Sequence, residues 1–269
     1  MRPVSDRGLR ALTTWDGIPA AVRDAATIVL LRDGEQGLES FFLRRQPTMA
    51  FAAGMQVFPG GVVHDSDGES DIGWAGPQAT EWADRLRCDV RTARALVVAA
   101  VRETFEESGV LLAGRSEKDV VSDTAPLEDE RSALEGHELS FSAFLAQHDL
   151  VLRSDLLGSW AHWVTPEFEP RRFDTRFFVA QIPAGQTVGS LPGEADRSSW
   201  TSIAEALALN DAGIWEMMPP TRHTLRSLLD HTAATVVEAA SRRVVTTIAP
   251  RLVMVDGQAF LDGPPAEEI

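Results

Sequence analysis

Two residue types that often carry chemistry are nearly absent from this chain of 269 residues. Cys88 is its one cysteine, so no disulfide can form within the chain, and a lone thiol is more typical of a buried apolar position than of a nucleophile. Lys118 is the one lysine among 25 basic residues. The remaining arginines suit bidentate recognition of phosphate or carboxylate, although codon bias explains the same excess. The cysteine content favours a reducing compartment, and we expect a cytoplasmic protein.

Positive charge and long apolar runs are also scarce. The 25 basic residues face 40 acidic ones, a net charge of −15, which disfavours nucleic-acid backbone binding because that binding needs basic residues to displace counterions. The longest apolar runs, 26–31 and 95–101, fall far short of the roughly 20 residues of a membrane helix. Residues 1–20 have no continuous apolar core of the kind found in a signal peptide. We therefore expect a folded, soluble domain with no membrane partner.

The first half of the chain predicts a hairpin followed by a long helix. Apolar segments at 26–31 and 39–44 flank a Gly-containing turn at 33–37. A Gly- and Pro-rich loop is expected at 46–61, and the acidic segment 64–90 is typical of a surface insertion. Residues 90–108 contain neither Gly nor Pro and stop at Gly109, which predicts a helix.

The second half predicts further helices and strands of one domain. Part of 127–146 is expected to be helical, with Ser140 as an N-cap. Strands are predicted at 159–164 and 176–182 in one sheet, with helices at 202–208 and from Pro219 to about Thr232, and late strands at 244–248 and 251–255. Because repeats and low-complexity linkers are absent from the sequence, we expect a single domain over 20–262, with insertions at about 64–90 and 113–155 and flexible ends at 1–19 and 263–269.

The segment at 102–110, Arg-Glu-Thr-Phe-Glu-Glu-Ser-Gly-Val, closes the predicted long helix. Its carboxylates Glu103, Glu106 and Glu107 are spaced to project from one side of that helix. Mg²⁺ prefers oxygen ligands and is commonly held by one or two carboxylates together with substrate phosphates. For a Glu-rich helix in general, the alternative is an ordinary solvated acidic face.

The pattern Arg-Glu-x-x-Glu-Glu-x-Gly, preceded by Phe-Pro-Gly-Gly at 58–61, resembles the signature of the Nudix hydrolase family. In the usual signature, five residues separate the Gly from a Glu, and seven more precede Arg-Glu. Here 40 residues lie between Gly61 and Arg102, so the signature is interrupted. Counting forward from Gly61 gives Asp67 and counting back from Arg102 gives Arg94, so the role of the first Glu remains unassigned.

Other segments narrow the resemblance within the family. Arg45, Gly54 and residues 58–61 match part of a motif found in its coenzyme A diphosphatases, although Ala50 stands where that motif has a second arginine. The interrupted signature, together with 160–166 and 171–178, is similar to the branch that contains the peroxisomal coenzyme A diphosphatase and its bacterial relatives. The similarity extends over about 26–232.

This resemblance implies an α/β fold, a Nudix α/β/α sandwich with a mixed sheet, a segment that splits the signature and a C-terminal helical extension. It also implies Mg²⁺- or Mn²⁺-dependent cleavage of a diphosphate linkage, with coenzyme A or acyl-coenzyme A as the first substrate to test. A homodimer is compatible with it. The implied metal ligands are Glu103, Glu106, Glu107 and the Gly60 carbonyl, and helical spacing lets Arg102 orient one of these carboxylates. The substrate-binding candidates are Arg45, Gly54, Phe58, Gly61, Arg171, Arg172 and Arg176, although each arginine is equally compatible with an ordinary surface cation. Glu194 or Glu103 is the candidate base, with a solvated turn acid as the alternative for Glu194.

Three alternatives remain open from the sequence. Since the first Glu of the signature is missing, a nucleotide sensor that uses this fold without catalysis is one of them. A hydrolase of ADP-ribose or nucleotide sugars is another. The third is a structural helix with incidental acids, which predicts no stabilisation by Mg²⁺.

Overall fold

A computed structural model describes residues 2–49, 52–68 and 72–264. Its strands are Arg2–Pro3 (β1), Val22–Gly34 (β2), Gly37–Arg45 (β3), Gln56–Val57 (β4), Gly60–Val62 (β5), Trp74–Ala75 (β6), Ala113–Gly114 (β7), Val151–Arg153 (β8), Gly158–Val164 (β9), Arg172–Gln181 (β10), Ala195–Ser202 (β11), Thr247–Ile248 (β12), Arg251–Val255 (β13) and Gln258–Asp262 (β14). Its α-helices are Asp6–Thr14 (α1), Ala79–Leu86 (α2), Val90–Ser108 (α3), Glu128–Glu135 (α4), Phe141–Gln147 (α5), Ile203–Asp211 (α6), Pro219–Arg226 (α7) and Ala233–Arg242 (α8). Short 3₁₀ helices lie at Asp65–Gly68, Ala125–Leu127 and Ser154–Leu156.

The central sheet has the strand order β11-β3-β2-β10-β9-β12, with β4 added to β3 and β5 added to β2. It is mixed, because β2 runs parallel to β10 and β9 parallel to β12, while the other pairs are antiparallel. The predicted hairpin of β2 and β3 is confirmed, with Gly34 opposite Gly37. The predicted pairing of 159–164 with 176–182 in one sheet is confirmed by β9 and β10.

Helices cover both faces of this sheet. Side chains alternate along β2, so that Ile28 and Leu30 join a core with α2, α3, α4 and α5. Val29 and Leu31 join a second core with α6, α7 and α8 on the opposite face. All four of these side chains are fully buried. The architecture is therefore the expected α/β/α sandwich, and a strand buried on both faces explains the continuous apolar run at 26–31.

Helix α3 has the bounds that the sequence predicted. Asp89 caps its start by accepting hydrogen bonds from the backbone N–H groups of Arg91 and Thr92. Gly109 ends it with φ of 73°, a left-handed conformation that glycine adopts without a Cβ penalty. The helix is buried along most of its length, so its last two turns hold charged side chains within the protein.

Segment 64–90 is not confined to the surface, and in this respect the sequence prediction was wrong. It contains α2, whose Trp82 is fully buried and meets Phe178 of β10 edge-on with ring centroids 5.8 Å apart. Asp67 and Leu86 are buried as well. The composition concealed this because the acidic residues of the segment lie among a few large apolar side chains that join the core.

Two predictions near the chain ends also need correction. The helix that begins at Pro219 ends at Arg226, and a separate helix, α8, follows it. Residues 1–19, expected to be flexible, contain α1, which Ser5 caps through its side chain, and the buried Val4, which packs with Phe168 and Leu261. Of the expected flexible C-terminal end, 265–269 lie outside the described residues. Within the described ranges, no helix has the length and apolar character to cross a membrane.

Candidate active site

Arg102 is the buried centre of the charged cluster at the end of α3. Its guanidinium donates two hydrogen bonds to Asp67, from Nε at 2.9 Å and from Nη2 at 3.0 Å. Nη1 donates to Glu103 at 2.7 Å and to Glu106 at 3.2 Å, and Nη2 also donates to the Val62 carbonyl at 3.1 Å. Burial lowers the pKa of Arg102, but these acidic neighbours outweigh burial and raise it. One cation thus fixes the orientation of three carboxylates.

Asp67, which the forward count from Gly61 reaches, faces Arg102 in the structure. Its side chain is only 1% exposed, and it also accepts a hydrogen bond from the backbone N–H of His64 at 2.8 Å. Arg94, the other residue reached by counting, donates to the Ile72 carbonyl and lies over the ring of Trp74. Of the two residues reached by counting, Asp67 is therefore the one that contacts Arg102.

The three glutamates of α3 concentrate negative charge in a poorly hydrated region. Burial raises the pKa of Glu106 to about 7, with the neighbouring Glu103 charge adding to that rise. Burial also raises the pKa of Glu103, and it raises that of Glu107 well above the ordinary value, where the Glu103 charge contributes further. Such a cluster is costly without a cation, so the electrostatics favour binding of a positive ion.

The glycine pair of the signature lets the chain pass close to these carboxylates. A Cβ on Gly61 would lie 2.6 Å from Cδ of Glu103, and one on Gly60 would lie 2.5 Å from the Ala26 carbonyl oxygen. The backbone N–H of Gly60 donates to Oε2 of Glu107 at 2.8 Å. Any larger residue at either position would displace β5 from the carboxylates or from β2.

A cavity of about 830 Å³ opens beside this cluster. It is lined by nine of the residues predicted from the sequence, namely Arg45, Gly60, Gly61, Glu103, Glu106, Glu107, Arg171, Arg172 and Glu194. Arg102 lies behind the carboxylates that it orients. The structure therefore brings an acidic cluster and several arginines to one cavity.

Glu194 approaches the cavity from the turn that precedes β11. Its Oε2 accepts a hydrogen bond from Nη2 of Arg45 at 2.9 Å. The Glu194 charge contributes to the raised pKa of both Glu103 and Glu107, so it lies near them. The turn is held by Gln46, whose Nε2 donates to the Gly193 carbonyl at 2.5 Å.

Helix α4, within the predicted insertion at 113–155, connects the end of α3 to the same turn. Nη1 of the buried Arg131 donates to the Glu106 carbonyl, and Nη2 donates to Ser190 at 2.6 Å. Glu135 accepts a hydrogen bond from the backbone N–H of Gly193 at 2.6 Å. These contacts were not apparent from the sequence, because residues far apart along the chain make them.

Three predicted substrate-binding residues do not line the cavity. Phe58 is buried against Phe42 with centroids 5.4 Å apart, and Gly54, at φ of 73°, forms a turn whose N–H donates to the Arg45 carbonyl. Arg176 is buried beside Asp174 and His162, because alternation along β10 directs it to the face opposite Thr175. Ala50, which replaces a motif arginine, lies outside the described residues.

The donor set fits a hard divalent cation, although the described side chains are not already gathered around one point. No group of three His, Cys, Asp or Glu residues within the described ranges has ligand geometry. Glu103 and Glu106 each use one oxygen toward Arg102, and Glu107 uses one toward Gly60. A carboxylate has two oxygens, so each of the three retains one that can bind a metal ion.

Comparison with known proteins gives matches to the Nudix family, in agreement with the signature residues. The family model described as the NUDT19 Nudix domain matches residues 78–228. Two proteins named acyl-coenzyme A diphosphatase NUDT19, from Xenopus laevis and Homo sapiens, are each 26% identical over 231 residues, covering 72% of this chain and 60% and 61% of theirs. The chain thus spans about three fifths of the length of these curated relatives.

A solved structure shows that the fold is also that of a Nudix hydrolase. The crystal structure of a NUDIX hydrolase from Alicyclobacillus acidocaldarius superposes with a TM-score of 0.67 at 30% identity, covering 81% of this chain and 96% of that one. The family model covers more than half of the chain, and the signature glutamates lie within it. The chain belongs to the Nudix hydrolase family, in the group described by the NUDT19 Nudix domain.

Proposed function

We propose that this protein is a Mg²⁺- or Mn²⁺-dependent hydrolase of a diphosphate linkage in a nucleoside diphosphate derivative, with coenzyme A or acyl-coenzyme A as its first substrate. The observation that carries the proposal is the cavity in which Glu103, Glu106 and Glu107 face Arg45 and Arg171. The names of the two NUDT19 relatives support the choice of substrate.

The carboxylates of α3 would hold the metal ion, with the Gly60 carbonyl as a further oxygen donor. When bound, the ion would polarise the phosphate and lower the pKa of water. Arg102 holds Glu103 and Glu106 in fixed orientations through Nη1, so these side chains need little reorganisation to bind a cation.

Arginines and a glutamate of the cavity supply the remaining chemistry. Arg45, Arg171 and Arg172 would contact the phosphates, since guanidinium groups pair with phosphate oxygens in a bidentate manner. Glu194, oriented by Arg45, would accept the proton of the attacking water, and Glu103 is the second candidate for that role. Water adds to one phosphorus, the bridging P–O bond breaks, and two phosphate monoesters leave.

The test measures product masses after incubation of the purified protein with Mg²⁺ or Mn²⁺ and coenzyme A, acyl-coenzyme A, ADP-ribose or nucleotide sugars. We expect cleavage of coenzyme A or its acyl derivative. Glu107→Gln should lower turnover by about 100-fold or more, because the metal supplies several kcal/mol of transition-state stabilisation. Glu117→Gln is the matched control, since Glu117 is exposed and does not line the cavity.

Two other results of this test would change the proposal. Cleavage of ADP-ribose or nucleotide sugars but not coenzyme A would retain the hydrolase and reject the substrate. Nucleotide binding without metal-dependent turnover would indicate a sensor, although the contact of Asp67 with Arg102 makes Asp67 a candidate for the role of the missing signature glutamate.

A further inference from the structure

The cavity extends along the sheet from the carboxylates to a group of basic side chains. It is lined by alternate residues of β2, namely Thr27, Ala25 and Arg23. It is also lined by Gly60 and Val62 of β5 and by His64, which follows that strand. Four residues of strand span about 13 Å, which is the Cα separation expected between Thr27 and Arg23. The cavity is therefore longer than the metal cluster alone requires.

His64 and Arg23 are neighbours across an antiparallel pair. The register places Ala25 opposite Val62, and the backbone N–H of Val63 donates to the Asp24 carbonyl at 2.9 Å, which continues the pairing by one residue. Directly opposite residues have Cβ atoms about 5 Å apart. Burial lowers the pKa of His64 most, and the Arg23 charge is among those that lower it further, which agrees with this proximity.

A second histidine reaches the same position from the other inserted segment. The ring of His137, which follows α4, meets that of His64 nearly edge-on, with centroids 5.4 Å apart and an interplanar angle of 74°. His137 has φ of 57°, a left-handed conformation that costs energy for a residue with a Cβ. The backbone thus holds an imidazole at the cavity in a conformation where Gly or Asn is ordinarily found.

These three side chains have hydrogen-bond donors available to a ligand. Within the described residues, Arg23 has no ion pair. The two imidazoles contact each other through their rings, and neither has a side-chain hydrogen bond to another described residue. The nearby carboxylate of Glu135 is engaged by the N–H of Gly193. A cluster of one guanidinium and two imidazoles is suited to a phosphate monoester, which presents three acceptor oxygens and up to two negative charges.

We infer that Arg23, His64 and His137 bind a phosphate monoester that the substrate carries in addition to its diphosphate. This inference rests on the proposed function and specifies its substrate class. In coenzyme A one ribose separates the 3′-phosphate from the diphosphate, and the cavity accommodates both groups, with the diphosphate at Gly60 and the monoester at His64. The two inserted segments that supply the histidines therefore determine specificity.

The test compares kcat/KM for coenzyme A and for 3′-dephospho-coenzyme A in the presence of Mg²⁺. The wild-type protein should prefer coenzyme A, and His137→Asn and His64→Gln should each lower kcat/KM for coenzyme A by roughly 10-fold while leaving dephospho-coenzyme A unaffected. Asn tolerates the left-handed backbone at 137, so the first variant preserves the fold. His148→Ala is the control, because that histidine of the α5 C-terminus contacts Glu130 outside the cavity.

A binding measurement separates this inference from the proposed function. Titration calorimetry of adenosine 3′-monophosphate into the metal-free protein should show binding that both histidine variants weaken by roughly 10-fold. If the wild-type protein cleaves neither coenzyme but this result holds, the phosphate site stands and the proposed substrate is wrong. If the variants bind the nucleotide as well as the wild type, or retain its preference for coenzyme A, the inference is overturned.

Discussion

Arg102 and Asp67 form a buried ion pair between the long helix and the segment that interrupts the signature. The Asp67 carboxylate is only 1% exposed and receives two hydrogen bonds from the guanidinium of Arg102. Glu103 and Glu106 share Nη1 of that group, and Nη2 also donates to the Val62 carbonyl. Asp67 therefore helps to fix the guanidinium that orients these two glutamates.

The first prediction concerns this pair. Asp67→Asn keeps the shape of the side chain but removes the charge opposite Arg102, and we expect the free energy of unfolding to fall by about 2–4 kcal/mol because a buried ion pair loses one partner. Urea denaturation measures the change. Asp65→Asn is the control: Asp65 lies nearby but is exposed, so this variant should leave the free energy of unfolding unaltered. An Asp67→Asn protein as stable as the wild type would contradict this role for the pair.

At the scale of elements, the two segments predicted as insertions, 64–90 and 113–155, contribute side chains to the hydrophobic core. Helix α2 packs against α3 and the sheet through Trp82, and α4 ties the end of α3 to the turn carrying Glu194 through Arg131. The segments also supply Asp67 and the two histidines of the cavity. Both segments thus contribute to the hydrophobic core and to the lining or support of the cavity.

The second prediction tests that conclusion at α2. Trp82→Ala should lower the free energy of unfolding by about 3–5 kcal/mol, since truncation of a fully buried large side chain loses apolar contacts and leaves a cavity. Thermal or urea unfolding checks the value. Ala substitution of Arg85, whose guanidinium lies over the Trp82 ring, should cost less than 1 kcal/mol by comparison. If Trp82→Ala changed the free energy of unfolding by less than about 0.5 kcal/mol, α2 would be a surface addition.

At the scale of the whole molecule, the excess of acidic residues has a local and a general component. The general component is the excess of acidic over basic residues, which gives the full chain a net charge of −15. The local component is the set of buried glutamates on α3, which the fold holds together against their mutual repulsion. Stability of the metal-free protein should consequently depend on pH.

The third prediction follows from the direction of the pKa change at Glu106. Burial raises its pKa to about 7 from the ordinary value of 4.5, so the folded protein binds more protons than the unfolded chain between these values. Stability in a chelator should therefore fall as pH rises from 5 to 8, and the Glu106 contribution should be about 1–3 kcal/mol. Urea unfolding of wild type and Glu106→Gln across this range isolates that contribution, since the variant cannot titrate at 106. A constant difference between the two proteins would contradict it.

Added metal should reverse this loss at pH 8. Binding to the folded state alone stabilises by about 2.7 kcal/mol when the ligand is at 100 times its Kd. Mg²⁺ or Mn²⁺ should accordingly raise the melting temperature of the wild type and have little effect on Glu107→Gln. An equal shift in both proteins would place the metal elsewhere.

Several features were predictable because they depend on neighbours in the sequence. The bounds of α3 follow from the cap at Asp89 and the left-handed Gly109. The hairpin of β2 and β3 follows from apolar runs around a Gly-containing turn. The spacing of the α3 glutamates followed from helical periodicity, and with it their location on one cavity.

Other features were decided only by the tertiary structure, because they depend on which distant segments meet. The sequence offered Asp67 and Arg94 equally, and packing of Asp65–Gly68 on α3 selected Asp67. Arg176 belonged to a plausible motif, yet strand alternation directed it away from the cavity. The sequence by itself determined helix α3 with its row of glutamates and the family resemblance, since local periodicity and motif spacing suffice for these. The partners of that helix, the burial that raises its carboxylate pKa values and the histidine pair required the chain to fold, because each arises from contacts between residues far apart in sequence.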